Sequence, residues 1–159
     1  MGGIELNNGG QPQVYVVAGA GSGSALYRLL SKRGLGLATG IIHENDVDFH
    51  VARAVGSTVI GEKPFEEIGA RAFLRATEIM EKIPCVVEAD FPVGRLNRRN
   101  VELVQKAISQ GKPVFSLRSR EEARGLYGGN SSRQVYCRSL EELAQNLSAL
   151  LERSEVCAH

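Results

Sequence analysis

Residues Gln13–Leu30 read QVYVVAGAGSGSALYRLL. The opening QVYVVA is a compact apolar run rich in β-branched and aromatic residues, which favour a strand. It breaks at Gly19-Ala20-Gly21-Ser22-Gly23, where small residues permit a tight turn. Leu26, Leu29 and Leu30 then fall on one face of a helix. Strand, glycine turn and helix in that order set the pattern for the rest of the chain.

Working outward, the same alternation repeats. Leu35–Ile42 (LGLATGII) reads as a second strand, and Asn45-Asp46-Val47-Asp48 opens a helix with Val47, Val51, Ala54 and Val55 at helical spacing. Ser57–Ile60 is a third strand. A long helix follows from Phe65 to Lys82, with Ile68, Ala72, Ala76 and Ile79 on one side. Pro84–Ala89 is the fourth strand, Asn97–Gln110 a helix and Pro113–Leu117 the fifth strand. Ser119 with Glu122 and Ser139 with Glu142 announce two more helices as capping boxes, with a short strand at Gln134–Cys137 between them. Such alternation marks a parallel sheet covered on both faces. Near-continuous apolar strands agree with that. The expected fold is α/β: a three-layer, Rossmann-like, doubly wound and mostly parallel sheet of five to six strands. It occupies residues 13–153, between a flexible lead-in (1–12) and a flexible tail (154–159).

Composition bounds the function. The chain has 159 residues, 43% hydrophobic and 23% charged, with 19 basic and 18 acidic residues and a net charge of +1. That balance argues against a nucleic-acid binder. No apolar run reaches the roughly 18–20 residues that span a bilayer, and the polar N-terminus is no signal peptide. Cys85, Cys137 and Cys157 form no CxxC pair, which fits a reducing, cytoplasmic compartment. The glycine-rich lead-in also reads as the place where a longer protein is cut.

Open parallel sheets bind ligands beyond the carboxyl ends of their strands. The turn after the first strand, with Gly19, Gly21, Ser22 and Gly23, either brings backbone N–H groups to an anion at a helix N-terminus or is only a tight connection. Ser24 stands where a GxGxxG fingerprint wants its third glycine, so the match is partial. In the second loop, Asn45 can cap a helix with Asp48 as its partner, and acids there suit the helix dipole. Asp46 and His50, four apart, make a poor metal pair without further ligands, so no metal is expected. In the fourth loop, Asp90 ends a strand, Pro92 and Gly94 fix the turn, and Asn97 can cap the next helix. Arg95, Arg98 and Arg99 crowd that helix's amino end against its dipole, at about 0.3–1 kcal/mol each. They invite an anion or simply point to solvent. GxSxG, HExxH and GxxxxGK[ST] motifs are all absent, so no catalytic residues are assigned.

The loop order, a glycine/serine turn, then GIIHENDVDFHVARAVG, EKPFEEI, VVEADFPVGRLNRRNVELV and GKPVF, resembles a known family. It is similar to the accessory domain that follows the nucleotide-binding domain in ABC-transporter ATP-binding proteins of the cobalamin and iron–siderophore import class. The matching positions are Gly19, Gly21, Ser22 and Gly23; Asn45 and Asp48; and Asp90, Pro92, Gly94, Asn97 and Asn100, within Val14–Leu117. The resemblance implies a cytoplasmic regulatory domain, held at the inner face of the membrane through a transporter and without ATPase activity of its own. Its partners would be the ABC nucleotide-binding domain or membrane subunit, and its ligand a nucleotide or other anionic small molecule; it names no cofactor. Gly19, Gly21, Ser22, Gly23, Asn45, Asp48, Asp90, Gly94, Arg95, Asn97, Arg98 and Asn100 form the expected ligand site. Two other readings stay open: an enzyme processing a nucleotide or phosphorylated metabolite, and a docking domain that forms a homodimer.

Overall fold

The computed structural model describes residues 11–19, 21–40, 46–60, 70–89, 98–128 and 133–158. Strands and helices alternate through them: β1 (Val14–Val17), α1 (Ser24–Lys32), β2 (Leu37–Gly40), α2 (Val47–Ala54), β3 (Thr58–Ile60) and α3 (Ala70–Glu81). There follow β4 (Cys85–Glu88), α4 (Arg98–Ser109), β5 (Val114–Ser116), α5 (Arg120–Tyr127), β6 (Gln134–Tyr136) and α6 (Leu140–Ala158). The strands form one six-stranded sheet in the order β3-β2-β1-β4-β5-β6, and each neighbouring pair is parallel. This is the Rossmann-like doubly wound arrangement, and it is parallel throughout.

The period-2 alternation of strand side chains divides the core in two. Val14, Val16 and Ala18 face one way and pack with Leu26 and Leu30 of α1, Ala52 of α2, and Leu143 and Leu147 of α6. Tyr15 and Val17 face the other way, against Ala76 and Met80 of α3 and Leu103 and Val104 of α4. All four residues of β1, β2 and β4 are buried, as expected of strands covered on both faces. The serine half of each capping box forms as read: Glu122 N–H donates to Ser119 Oγ, and Glu142 N–H to Ser139 Oγ, each at 3.1 Å, while the glutamate carboxylates accept from Arg118 Nη1 and Arg138 N–H instead. The regular strands are shorter than their apolar runs, because strand pairing ends before burial does. Residues 41–42, expected in the second strand, and 65–69, expected in the third helix, lie outside the described residues. The backbone of α6 includes residues 154–158, which the sequence assigned to a tail.

Two buried tyrosines show how each face treats a polar group. Tyr27 donates its hydroxyl to Thr39 Oγ1 at 3.0 Å, and Thr39 donates in turn to the Val16 carbonyl at 2.8 Å. Tyr15, on the other face, is equally buried, yet its hydroxyl meets no hydrogen-bond partner among the described residues. It fits because Gly40 has no side chain: a Cβ there would lie 3.0 Å from Tyr15 Oη and 3.1 Å from Ile60 Cβ. Burial pushes both phenols up. Replacing a bonded hydroxyl loses its bond, whereas replacing an orphan removes a desolvation cost of about 1–3 kcal/mol. Tyr27→Phe is therefore expected to destabilise by about 1 kcal/mol, while Tyr15→Phe leaves stability unchanged or raises it. Urea denaturation of both variants checks this contrast.

Candidate functional site

Strand order reverses between β1 and β4. Their following helices cover opposite faces of the sheet, α1 packing with one core cluster and α4 with the other. In open α/β sheets the connections leaving two such strands part at the carboxyl edge, which is where ligands bind. Val17 pairs with Glu88 at this edge, and the turn after β1 lies directly beyond it.

The turn after β1 is held from within. Gly23 N–H donates to Asp48 Oδ2 at 3.0 Å, and the Ser24 hydroxyl donates to Asp48 Oδ1 at 2.8 Å. Ser22 folds back on Gly19, whose carbonyl accepts from Ser22 Oγ at 2.7 Å and from Ser22 N–H at 3.0 Å. Gly21 has φ of 84°, a left-handed conformation that favours glycine. At Gly23 a Cβ would lie 2.5 Å from Ala18 Cβ and 3.0 Å from Tyr27 Cε2, so only glycine lets α1 start this close to β1. Asp48 is fully buried. Burial pushes its carboxyl up, opposed by the bonds from Gly23 and Ser24. A helix amino end attracts an anion; at α1 that anion is the protein's own carboxylate.

Asp48 thus does more than suit a helix dipole. The cap of α2 is Asp46, whose Oδ1 accepts from Asp48 N–H at 3.0 Å; Asn45, the expected cap, lies outside the described residues. Val47, between the two acids, is 53% exposed, and a Cβ on Gly21 would sit 3.4 Å from its Cγ1. The turn therefore has an apolar lip. His50 is exposed on α2. Among the described residues, no group of three His, Cys, Asp or Glu side chains is arranged to hold a metal.

On the β4 side, Asp90, Gly94, Arg95 and Asn97 lie outside the described residues. Arg98 opens α4, although its side chain is not described, and Asn100 is buried in the first turn. Arg99 pairs with Glu102 at 3.0 Å and lies over the Phe73 ring at 5.3 Å. The structure thus joins Gly19, Gly21, Ser22, Gly23 and Asp48 in one turn and puts Arg98 and Asn100 at the amino end of α4.

At the ends of β4 and β5 lies a buried polar network that sequence reasoning missed. Glu88, the last residue of β4, accepts from Ser116 Oγ at 2.9 Å, from Arg118 Nε at 2.9 Å and from the Tyr127 hydroxyl. Arg118 also pairs through Nη1 with Glu122 at 2.7 Å. Burial opposes the Arg118 charge, but the Glu88 carboxylate more than offsets it and holds the guanidinium protonated. Burial also pushes the Glu88 carboxyl up, against the bonds from Tyr127, Arg118 and Ser116. The signal was present in the sequence: one acid in the apolar run CVVEA and one arginine just past VFS.

The Glu88–Arg118 side chains are each 1% exposed, whereas Glu122 is 46% exposed. Breaking a buried pair leaves an uncompensated charge, at about 3–5 kcal/mol, while an exposed pair contributes about 0–1 kcal/mol. Glu88→Gln is therefore expected to lose several times more stability than Glu122→Gln in urea denaturation. Equal losses would mean that Arg118 draws its compensation from elsewhere.

Comparison with known proteins corrects the resemblance drawn from the loops. A solved structure, the molybdenum cofactor binding protein from the phototrophic bacterium Rippkaea orientalis, is similar over 91% of this chain and 99% of its own, with a TM-score of 0.65 and 16% identity. At that identity the likeness is one of fold. An uncharacterised protein from Methanocaldococcus jannaschii, MJ0874, is 34% identical over 79 residues, half of this chain and 85% of that relative. These findings indicate no ABC-transporter domain. They overturn the reading of an accessory domain of a cobalamin or iron–siderophore importer. No helix among the described residues is long and apolar enough to cross a membrane. Residues 37–151 match the model of the MJ0874 family, and the chain belongs to that family.

Proposed function

We propose that this chain binds the molybdenum cofactor, a pterin bearing a phosphate, in the crevice outside the carboxyl ends of β1 and β4. The observation that carries the reading is the reversal of strand order there, the place where open α/β sheets take their ligands. The fold shared with a molybdenum cofactor binding protein supports the ligand class.

The residues present favour one orientation. The Gly23 N–H is turned inward to Asp48, and a second anion beside that carboxylate would be repelled. The amino end of α4, where the helix dipole favours negative charge, would take the phosphate in preference to the β1 turn. Gly21, which presents no side chain, and the apolar lip at Val47 would hold the flat ring system. When bound, the cofactor supplies a molybdenum centre on a pterin dithiolene. The protein's part is to hold and shield it.

The test is to purify the protein from a host that makes the cofactor. Bound pterin is oxidised to a fluorescent product and quantified, and molybdenum is measured by mass spectrometry. Both are expected in the wild type. A Val47→Glu variant, altered at an exposed site where an acid suits the first turn of α2, is expected to keep its Tm and carry at least tenfold less of both. Pterin no higher than in an unrelated Rossmann-fold control, or equal loading of the variant, would overturn the reading.

A further inference from the structure

A second concavity lies at the opposite edge of the sheet. It has a volume of about 430 Å³ and is lined by Pro113, Phe115, Arg133, Val135, Asn146, Ala149, Leu150 and Arg153. Pro113 and Arg133 immediately precede β5 and β6. The cavity mouth is therefore at the amino ends of these strands, about 10 Å of strand away from the carboxyl edge. It exists because β6 is the sheet's last strand and α6 covers its face without closing the flank.

Its chemistry divides cleanly. The floor is apolar: Phe115 and Val135 are the central residues of β5 and β6 and lie on the face turned to α6. Ala149 and Leu150 come from α6, in the series Asn146, Ala149, Leu150, Arg153, which is one helical stripe. Two exposed arginines also line the cavity, Arg133 from the strand side and Arg153 from the helix side. Arg133 is fixed beside the cavity by its own backbone, since its carbonyl accepts from Val114 N–H at 3.2 Å. Asn146 is tied to Cys137 Sγ at 3.8 Å. An apolar pocket of small-molecule size with a few converging polar groups is the general form of a ligand site, and paired arginines select a carboxylate or phosphate.

We propose that this cavity is a second ligand site, for an organic anion with a flat apolar body and one carboxylate or phosphate group. It is independent of the crevice at the strand-order reversal. The test is amide NMR of the full chain with four probes: 2-naphthoate, 2-naphthyl phosphate, 2-naphthalenemethanol and inorganic phosphate. The first two are expected to shift Val135, Ala149 and Leu150 saturably and leave Gly23 and Asp48 in place; the stronger of them identifies the preferred anion. The alcohol, with the same body and no charge, should bind at least tenfold more weakly. Arg133→Gln combined with Arg153→Gln should lose at least tenfold for both anions, and Ala149→Trp, checked as folded by its spectrum, should abolish binding. The proposal is overturned if the alcohol binds as well as the acids, if inorganic phosphate alone gives the same shifts, or if the naphthyl anions move only other residues or none. A self-associated dimer that covers Ala149 and Leu150 in sedimentation and NMR would overturn it as well.

Discussion

The Asp48 carboxylate at the amino end of α1 is the constraint on which the site depends. It gathers Gly23 N–H and the Ser24 hydroxyl, and so joins the start of α2 to the turn that launches α1. In nucleotide-binding relatives of this architecture the same donors face a ligand phosphate. Here the anion is covalently part of the chain, and the turn is set before any ligand arrives. The close approach of Gly23 to Ala18 and Tyr27 is the steric counterpart of that electrostatic tie. Together they fix where α1 leaves β1.

The ends of β4 and β5 are fixed by different means. Glu88 and Arg118 form a buried ion pair bounded by Ser116 and Tyr127, which links the ends of β4 and β5 to α5. Buried pairs of this kind contribute little net stability over an apolar filling but penalise any arrangement that separates them. The consequence is geometric: two carboxylates, one on each side of the strand-order reversal, are occupied within the fold, Asp48 by Gly23 N–H and the Ser24 hydroxyl and Glu88 by the side chains of Ser116, Arg118 and Tyr127.

The sequence made the sheet legible because burial on both faces leaves nearly unbroken apolar runs such as QVYVVA and PCVVEA. It made the glycine turn legible because only glycine serves there. The role of Asp48 was hidden. Its partners lie 24 and 25 residues away, and locally it looks like an ordinary acid in a first helical turn. Glu88 and Arg118 were hidden for the same reason, since their contact spans 30 residues. The mistaken likeness to a transporter domain has a physical origin too. A glycine turn, an N-x-x-D loop and a proline- and arginine-bearing loop supply turns, caps and clamps that a doubly wound sheet needs wherever it occurs, so their order reports the architecture more than the function.

The most direct measurement is the amide spectrum of the wild-type protein titrated with inorganic phosphate, read at Gly23 and Ser24. With the amino end of α1 already filled by Asp48, both resonances should stay in place through millimolar phosphate. A saturable shift at Gly23 would show that the turn still accepts an outside anion and would contradict the account.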